Sequence, residues 1–171
     1  KYIKNEPNKS WRPGKDYVHY AGPYFDNKEI VRSVNTLLDG WLVLGSEAYK
    51  AENKLAKMFG KKHALLTNSG SSSNLLMMSA MKSKRFLDFP EGTKVLTPIA
   101  GFPTTINPII QNGWTPVLVD VDFATLNVSE KTIFAACTKK TRAVVLAHTL
   151  GNPYRADRLA AWCKQEGIYF I

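Results

Sequence analysis

Short apolar runs alternate with segments of helical apolar spacing along most of this 171-residue chain, and this alternation is the feature that most limits its fold. The runs are uninterrupted, as expected for strands that are covered on both faces of a sheet. Because strands that alternate with helices form right-handed crossovers, the sequence predicts an α/β protein with three layers, α/β/α, and a mainly parallel sheet. Strands are predicted at 64–66, 94–97, 116–119, 143–147 and 168–171, and helices at 72–83, 103–112, 129–137 and 156–166.

The first part of the chain follows a different pattern. Residues 1–26 are rich in proline, glycine and aromatic side chains and show no period, which predicts an irregular arm. A helix is predicted at 27–38, where apolar residues recur at helical spacing. Ser46 is predicted to cap a second helix, with Gly60 just past its end. We therefore divide the chain into the arm and one domain, 27–171.

The composition is that of a globular protein, with 44% apolar and 22% charged residues. No apolar run approaches the roughly 20 residues of a membrane span, and the polar start lacks the apolar segment of a signal peptide. Cys137 and Cys163 are isolated and lie on predicted helices, which indicates buried free thiols and not a disulfide framework or a metal site. A reduced, cytoplasmic protein without a membrane partner is therefore expected.

The net charge of +9 comes from lysines and arginines that are spread along the chain. No basic run interleaved with aromatic residues and no nucleic-acid motif is present, so nucleic acid is not expected as a partner. Attraction of an anionic small substrate is a second interpretation of the same charge. The chain begins with a lysine and ends in the apolar run 168–171, which is the pattern expected of a fragment of a longer protein.

Four loops with candidate functional residues each follow a predicted strand: 68–74, 98–105, 120–127 and 148–154. Because ligands of parallel sheets bind beyond the carboxyl ends of the strands, the four loops indicate one common site. The first loop reads Asn68-Ser69-Gly70-Ser71-Ser72-Ser73-Asn74 and precedes a helix. Its backbone N–H groups and hydroxyls, with the helix dipole behind them, suit a phosphate group. A simple N-cap is the alternative interpretation of this turn.

The other three loops carry candidates for ring stacking, acid chemistry and turn formation. Phe102 follows a glycine at a strand end, where it either stacks on a planar heteroaromatic ring or plugs the top of the sheet. Asp120 and Asp122 are candidate site acids, and Asp122 also suits the cap of the following turn. His148 is a better placed candidate than the other two histidines, with a hydrogen-bonded structural role as its alternative. Asn152, between glycine and proline, either belongs to the site or holds a turn.

Five motifs of the chain occur in the order and spacing of a known enzyme family. From about residue 16 to the end, the chain resembles the sugar-nucleotide branch of the pyridoxal-phosphate enzymes (DegT/DnrJ/EryC1/StrS type), which have the aspartate-aminotransferase fold, type I. The motifs are Gly45-Ser46-Glu47, the serine-rich turn 68–74, Gly101-Phe102-Pro103-Thr104-Thr105, Asp120-Val121-Asp122 and His148-Thr149-Leu150-Gly151-Asn152-Pro153. The third and fifth look most like those of CDP-4-keto-6-deoxy-D-glucose 3-dehydrase, an enzyme of 3,6-dideoxyhexose synthesis.

The resemblance implies a cofactor and residues that hold it. The cofactor would be pyridoxal 5′-phosphate (PLP) or its amine form, pyridoxamine 5′-phosphate (PMP). The residues implied are Gly70, Ser71 and Ser72 for the phosphate, Phe102 for the pyridine ring, and His148 and Asn152 for the substrate.

The resemblance also implies a reaction: removal of the C3 hydroxyl of a CDP-4-keto-6-deoxyhexose for O-antigen synthesis, by a homodimer with a 2Fe-2S cluster and a partner reductase. The carboxylate partner of the pyridine nitrogen, the catalytic base and the cluster cysteines have no counterpart in these residues, and Cys137 and Cys163 do not match the cluster ligands. No catalytic residue is therefore assigned, and we expect this fragment to be inactive by itself. The alternatives are a nucleotide-sugar aminotransferase, which would have lysine and not histidine at the catalytic position, and a non-catalytic oligomerising fragment.

Overall fold

The computed structural model describes residues 11–17, 22 and 25–171, so most of the predicted arm lies outside the described residues. The chain divides between Leu66 and Thr67 into two compact units. The helices are α1 (Asn27–Leu38), α2 (Ser46–Met58), α3 (Gly70–Met81), α4 (Pro103–Gln111), α5 (Glu130–Ala136) and α6 (Ala156–Gln165). The strands are β1 (Lys94–Pro98), β2 (Thr115–Val119), β3 (Thr141–Val144) and β4 (Tyr169–Phe170), and a short 3₁₀ turn spans Thr149–Gly151.

Helix α1 of the first unit forms where the sequence predicts it, because both its ends are capped. The carboxylate of Asp26 accepts a hydrogen bond from the backbone N–H of Lys28 at 2.7 Å, and the carboxylate of Glu29 accepts one from the N–H of Asp26 at 2.7 Å. Such a capping box satisfies the N–H groups that a helix start leaves without acceptors. The helix ends at the cap residue Asp39, and Gly40 follows with a positive φ of 67°.

Helix α2 begins at Ser46, and the prediction that Ser46 is its cap is wrong. The cap residue is Gly45, which makes no side-chain cap hydrogen bond. Trp41 is the physical reason for a glycine here, because a Cβ atom at Gly45 would lie only 2.8 Å from Cδ1 of the indole. The indole N–H of Trp41 donates to the carbonyl of Leu44 at 3.0 Å and so keeps the ring against the glycine.

The second unit is built on a four-stranded parallel sheet with the strand order β2-β1-β3-β4. Successive side chains of a strand face opposite sides of the sheet, so Val95 and Leu96 of β1 enter two separate clusters. The cluster around Val95 includes Ile109 and joins the sheet to α3 and α4. The cluster around Leu96 includes Leu159 and joins the sheet to α5 and α6. Helices cover both faces, which confirms the three-layer α/β/α prediction.

Two strand predictions need correction. The predicted strand at 64–66 is wrong, since no strand of the described residues pairs with it and the N–H of Leu66 donates to the carboxylate of Glu52 at 2.9 Å. A short apolar run becomes a strand only where a neighbouring strand takes its hydrogen bonds. The strand predicted at 143–147 is shifted towards the amino terminus and spans Thr141–Val144.

The two cysteines differ in accessibility, which predicts their reactivity. Cys163 is fully buried, as predicted, and burial raises the pKa of its thiol to about 11, whereas Cys137 is only half-buried. Because the thiolate is the reactive form, we expect iodoacetamide to alkylate Cys137 and to spare Cys163 in the folded protein. Peptide mass spectrometry after brief labelling measures both rates. Equal labelling of the two thiols before denaturant is added would contradict the burial.

Candidate functional site

Helix α3 begins with an open turn that suits an anion. Ser69, the cap residue, accepts a hydrogen bond at Oγ from the N–H of Ser72 at 3.2 Å and at its carbonyl from the N–H of Ser73 at 3.1 Å. The first N–H groups of a helix have no acceptor within the helix. The described residues offer none to the N–H groups of Gly70 and Ser71. Both groups lie at the positive end of the helix dipole, where an anion binds favourably.

The same turn has room for a ligand. Apart from its chain neighbours and the backbone of its own helix, no atom of the described residues lies within 4 Å of the position that a Cβ atom of Gly70 would take, so a ligand can approach the backbone there. The side chain of Ser71 is exposed, and that of Ser72 is half-buried with its Oγ 3.2 Å from Oγ of Ser69. The hydroxyl of Thr67 donates to the carbonyl of Ser69 at 2.8 Å and so holds the turn. Backbone N–H groups and hydroxyls around an open space are the donors that a phosphate group requires.

A side-chain amide ties α3 to the next loop of the site. Pro108 lies inside α4 and has no N–H, so the carbonyl of Thr104, four residues earlier, lacks its usual helical partner. Asn74 of α3 donates to this carbonyl through Nδ2 at 3.2 Å. The amide therefore replaces the missing helical hydrogen bond and fixes the serine-rich turn relative to the first turn of α4.

Phe102 is the cap residue of α4, on the loop that follows β1. Its side chain is 70% exposed, so it does not plug the top of the sheet. The loop itself is held in place: the N–H of Ile99 donates to the carbonyl of Val119 at 2.9 Å, and the N–H of Thr105 donates to the carbonyl of Phe102 at 3.0 Å. An aromatic face held open beyond an inner strand can stack on a planar ring.

His148 follows β3, the strand next to β1, and is exposed. Its ring centroid lies 4.3 Å from that of Tyr154, with 35° between the two planes. Tyr154 in turn meets Phe170 edge-on at 6.2 Å, and burial raises the pKa of the Tyr154 hydroxyl. The ring of Tyr154 thus contacts one face of the imidazole and orients it, while the imidazole remains exposed to solvent. This arrangement suits a ligand-binding role.

Asn152 is engaged with the neighbouring loop. Its Nδ2 donates to the carbonyl of Thr125 at 2.7 Å, and its own carbonyl accepts a hydrogen bond from Nδ2 of Asn127 at 2.8 Å. These contacts join the loop after β3 to the loop after β2. The side-chain oxygen of Asn152 is the atom of this amide that can still accept a hydrogen bond from a ligand.

The carboxylates of both candidate acids accept hydrogen bonds from nearby backbone N–H groups. Oδ1 of Asp122 accepts a hydrogen bond from the N–H of Ala124 at 2.8 Å, which confirms the expected turn cap. Oδ1 of Asp120 accepts one from the adjacent N–H of Val121 at 2.8 Å.

Within residues 11–17, 22 and 25–171, no group of three or more acidic, histidine or cysteine side chains could hold a metal ion. The helices of this part of the chain are also too short or too polar to cross a membrane.

Two residues that tie the site together were not assigned roles from the sequence: Asn74 and Asn127. Asn74 lies in the second turn of α3, where asparagine is unfavourable, but the predicted helix begins at 72 and places it in the first turn, so its position is not a signal in the sequence. Asn127 gives no signal either, because asparagine is common in loops. Only the structure shows that Asn127 is buried, with 5% of its surface exposed.

The chain is similar to a family of pyridoxal-phosphate enzymes. Residues 24–171 match the DegT/DnrJ/EryC1/StrS aminotransferase family. The chain is 38% identical over 172 residues to the dTDP-4-dehydro-2,6-dideoxy-D-glucose 3-dehydratase of Saccharopolyspora spinosa, covering 99% of this chain and 37% of that protein. It is 41% identical over 160 residues to the lipopolysaccharide biosynthesis protein RfbH of Salmonella typhimurium, covering 92% of this chain and 37% of that protein.

A solved structure has the same fold. The Escherichia coli GDP-4-keto-6-deoxy-D-mannose-3-dehydratase with bound hydrated PLP matches with a TM-score of 0.82 and 28% identity, over 88% of this chain and 39% of that one. The chain thus spans little more than a third of the length of these relatives. The family match covers both the serine-rich turn and the loops after β1, β2 and β3. The chain belongs to the DegT/DnrJ/EryC1/StrS aminotransferase family.

Proposed function

We propose that this chain is part of a PLP- or PMP-dependent nucleotide-sugar 3-dehydrase, which removes the C3 hydroxyl of a CDP-4-keto-6-deoxyhexose in 3,6-dideoxyhexose and O-antigen synthesis. The observation that carries the proposal is the open donor turn at Gly70 and Ser71, in a chain 38% identical to a sugar 3-dehydratase. The lipopolysaccharide role is supported by the 41% identity with RfbH.

The donor set of the site fits the proposed cofactor. Gly70, Ser71 and Ser72 would hold its phosphate group through backbone N–H groups and hydroxyls, and Phe102 would cover one face of its ring. When bound, the cofactor supplies an electron sink for breaking bonds next to the sugar carbonyl. The contribution of this chain is binding and orientation, since none of its residues is assigned a catalytic role.

His148 and Asn152 would bind the nucleotide sugar. The imidazole of His148, oriented by Tyr154, can exchange hydrogen bonds with sugar hydroxyls. Asn152 uses its Nδ2 for Thr125, so its side-chain oxygen would accept from the substrate. The excess of positive charge in the chain favours the approach of a diphosphate-linked sugar.

We place the protein in the cytoplasm as a homodimer without nucleic acid or membrane partners. Support for the dimer comes from apolar side chains of the first unit that are mostly exposed: Leu37, Leu38, Trp41, Leu42, Val43 and Leu44. A partner reductase and a 2Fe-2S cluster outside these residues would supply the electrons for the deoxygenation.

The test is turnover by the full-length protein, loaded with PMP and given CDP-4-keto-6-deoxy-D-glucose and a reducing system. We expect loss of the C3 oxygen, detected by mass spectrometry of the nucleotide sugar. With ¹⁵N-glutamate as amino donor, an aminotransferase would instead transfer the label to the sugar, and the family name supports this second candidate. If protein that binds the cofactor forms neither product, the result would favour a non-catalytic oligomerising role and overturn the proposal.

A further inference from the structure

We propose that Asn127 is a positioning residue for the nucleotide-sugar site: its buried side-chain amide holds the loop of His148 and Asn152 in the conformation that binds the substrate. The inference rests on the proposed function for the identity of the substrate. The contacts that support it are independent of that function.

The carboxamide of Asn127 makes hydrogen bonds at both of its ends. Its Nδ2 donates to the carbonyl of Asn152 at 2.8 Å and to that of Thr125 at 3.3 Å, while its Oδ1 accepts from the N–H of Thr149 at 3.4 Å. The N–H of Thr149 belongs to the peptide that follows His148. The amide therefore contacts the 148–152 loop at two backbone points, one directly after His148 and one at Asn152.

The side-chain amide of Asn152 also contacts the loop that contains Asn127. Nδ2 of Asn152 donates to the carbonyl of Thr125 at 2.7 Å, so each loop donates a side-chain amide to a backbone carbonyl of the other loop; we call this arrangement the two-amide clamp. The loops that the clamp joins follow β2 and β3, which are not neighbours because β1 lies between them. The sheet hydrogen bonds alone therefore do not fix these two loops to each other.

Both loops of the clamp contain a leucine in a left-handed conformation. Leu126 has φ 56° and Leu150 has φ 53°. A side chain with a Cβ atom is disfavoured in this region, and such residues persist where the surrounding structure fixes them. Leu126 directly precedes Asn127, and Leu150 lies between its two contact points, so the clamp is placed to hold both strained positions.

Burial makes the amide of Asn127 hard to replace. The residue is only 5% exposed, and removing a buried hydrogen-bonding group leaves its partners unsatisfied. The 148–152 loop would then move to reach water or new partners, taking His148 and Asn152 with it. The serine-rich turn and Phe102 are held by other contacts, including the amide of Asn74. Loss of the clamp should therefore weaken substrate binding and spare cofactor binding.

The experiment compares the full-length wild type with Asn127→Ala, which removes all contacts, and Asn127→Asp, which keeps an acceptor for the N–H of Thr149 but cannot donate. Asn107→Ala, at an exposed position of α4, is the matched control. Three quantities are measured: KM for the nucleotide sugar, Kd for PLP by absorption titration, and the rate at which diethyl pyrocarbonate modifies His148 without substrate. Exposed His63 of the first unit is the internal reference for the last measurement.

For Asn127→Ala we expect KM to rise about 10- to 100-fold, as small displacements of positioning groups do, with Kd for PLP within twofold of wild type. Modification of His148 should be several-fold faster, with His63 unchanged. Asn127→Asp would place a buried carboxylate against the carbonyl oxygens of Asn152 and Thr125, so it should be impaired at least as much as Asn127→Ala, and Asn107→Ala should match wild type. This split between KM and Kd is not expected of a merely structural residue.

An unchanged KM in Asn127→Ala would overturn the inference, whether or not His148 is modified faster. A parallel loss of PLP affinity with faster modification of His63 would also overturn it, since general loosening would then be the cause. A wild type that binds PLP but neither binds nor converts a nucleotide sugar would overturn the proposed function itself. The last outcome is read from the wild type alone, so the two failures are distinguishable.

Discussion

Ser71→Asp is expected to abolish PLP binding while leaving the protein folded. A carboxylate here would lie beside the N–H groups of Gly70 and Ser71, which have no acceptor among the described residues and which we propose bind the cofactor phosphate. Two unit charges 4 Å apart near a protein surface repel by about 4 kcal/mol, and each 1.4 kcal/mol is about tenfold in affinity. We therefore expect Kd for PLP to rise by more than about 100-fold.

Stability is expected to change in the opposite direction. Ser71 is exposed, so an aspartate can be accommodated without repacking. A negative charge in the first turn of a helix interacts favourably with the helix dipole, by about 0.3–1 kcal/mol. The free energy of unfolding in urea should therefore be unchanged or slightly raised. A loss of cofactor affinity with no loss of stability cannot be attributed to misfolding.

Two controls isolate the charge. Ser71→Asn has nearly the same shape as the aspartate but no charge, and its Kd for PLP should stay within a few-fold of wild type. Pyridoxal, which lacks the phosphate, should bind equally to wild type and Ser71→Asp. Absorption titrations measure all five affinities: PLP with the wild type and both variants, and pyridoxal with the wild type and Ser71→Asp. Retention of PLP affinity in Ser71→Asp would place the phosphate elsewhere and remove Gly70, Ser71 and Ser72 from the cofactor site.

The layer architecture could be predicted from the sequence because it depends on short-range patterns. Apolar runs and helical spacing are local, and the helix predicted at 27–38 has the bounds of α1. The strand predicted at 64–66 failed because pairing depends on a partner strand far along the chain. The Ser46 cap failed for a different reason: the indole of Trp41, four residues earlier, packs against Gly45, and such a side-chain contact is not encoded by apolar spacing.

The site shows the same limit. The serine-rich turn and Phe102 were found because each directly follows a predicted strand and is visible as a motif. The hydrogen bond from Asn74 to Thr104 spans 30 residues and that from Asn127 to Asn152 spans 25. No sequence period encodes such contacts. The candidate ligand-binding residues were thus visible in the sequence as motifs, whereas the residues that hold those loops together required the structure.

Leu96→Ala should destabilise the protein by about 2–5 kcal/mol, the usual cost of truncating a buried leucine. Leu96 lies in β1, an inner strand, and is fully buried among residues of α5, α6 and the neighbouring strands. Removing its side chain leaves a cavity between two close-packed layers, which relax only partly. Urea unfolding monitored by circular dichroism measures the change in the free energy of unfolding.

Leu118→Ala is the matched control, because Leu118 lies in the adjacent strand β2 but is 46% exposed. Its replacement should cost less than about 1 kcal/mol, as surface substitutions do. Equal costs for the two variants would contradict the burial of β1 between two helical layers. Strand β1 also leads into the loop of Phe102, so the Kd for PLP of Leu96→Ala is a second quantity to compare with wild type. If Leu96→Ala lowers stability but the folded fraction binds PLP normally, the core and the site are separable, and the loop contacts of Ile99 and Thr105 are enough to hold Phe102 in place.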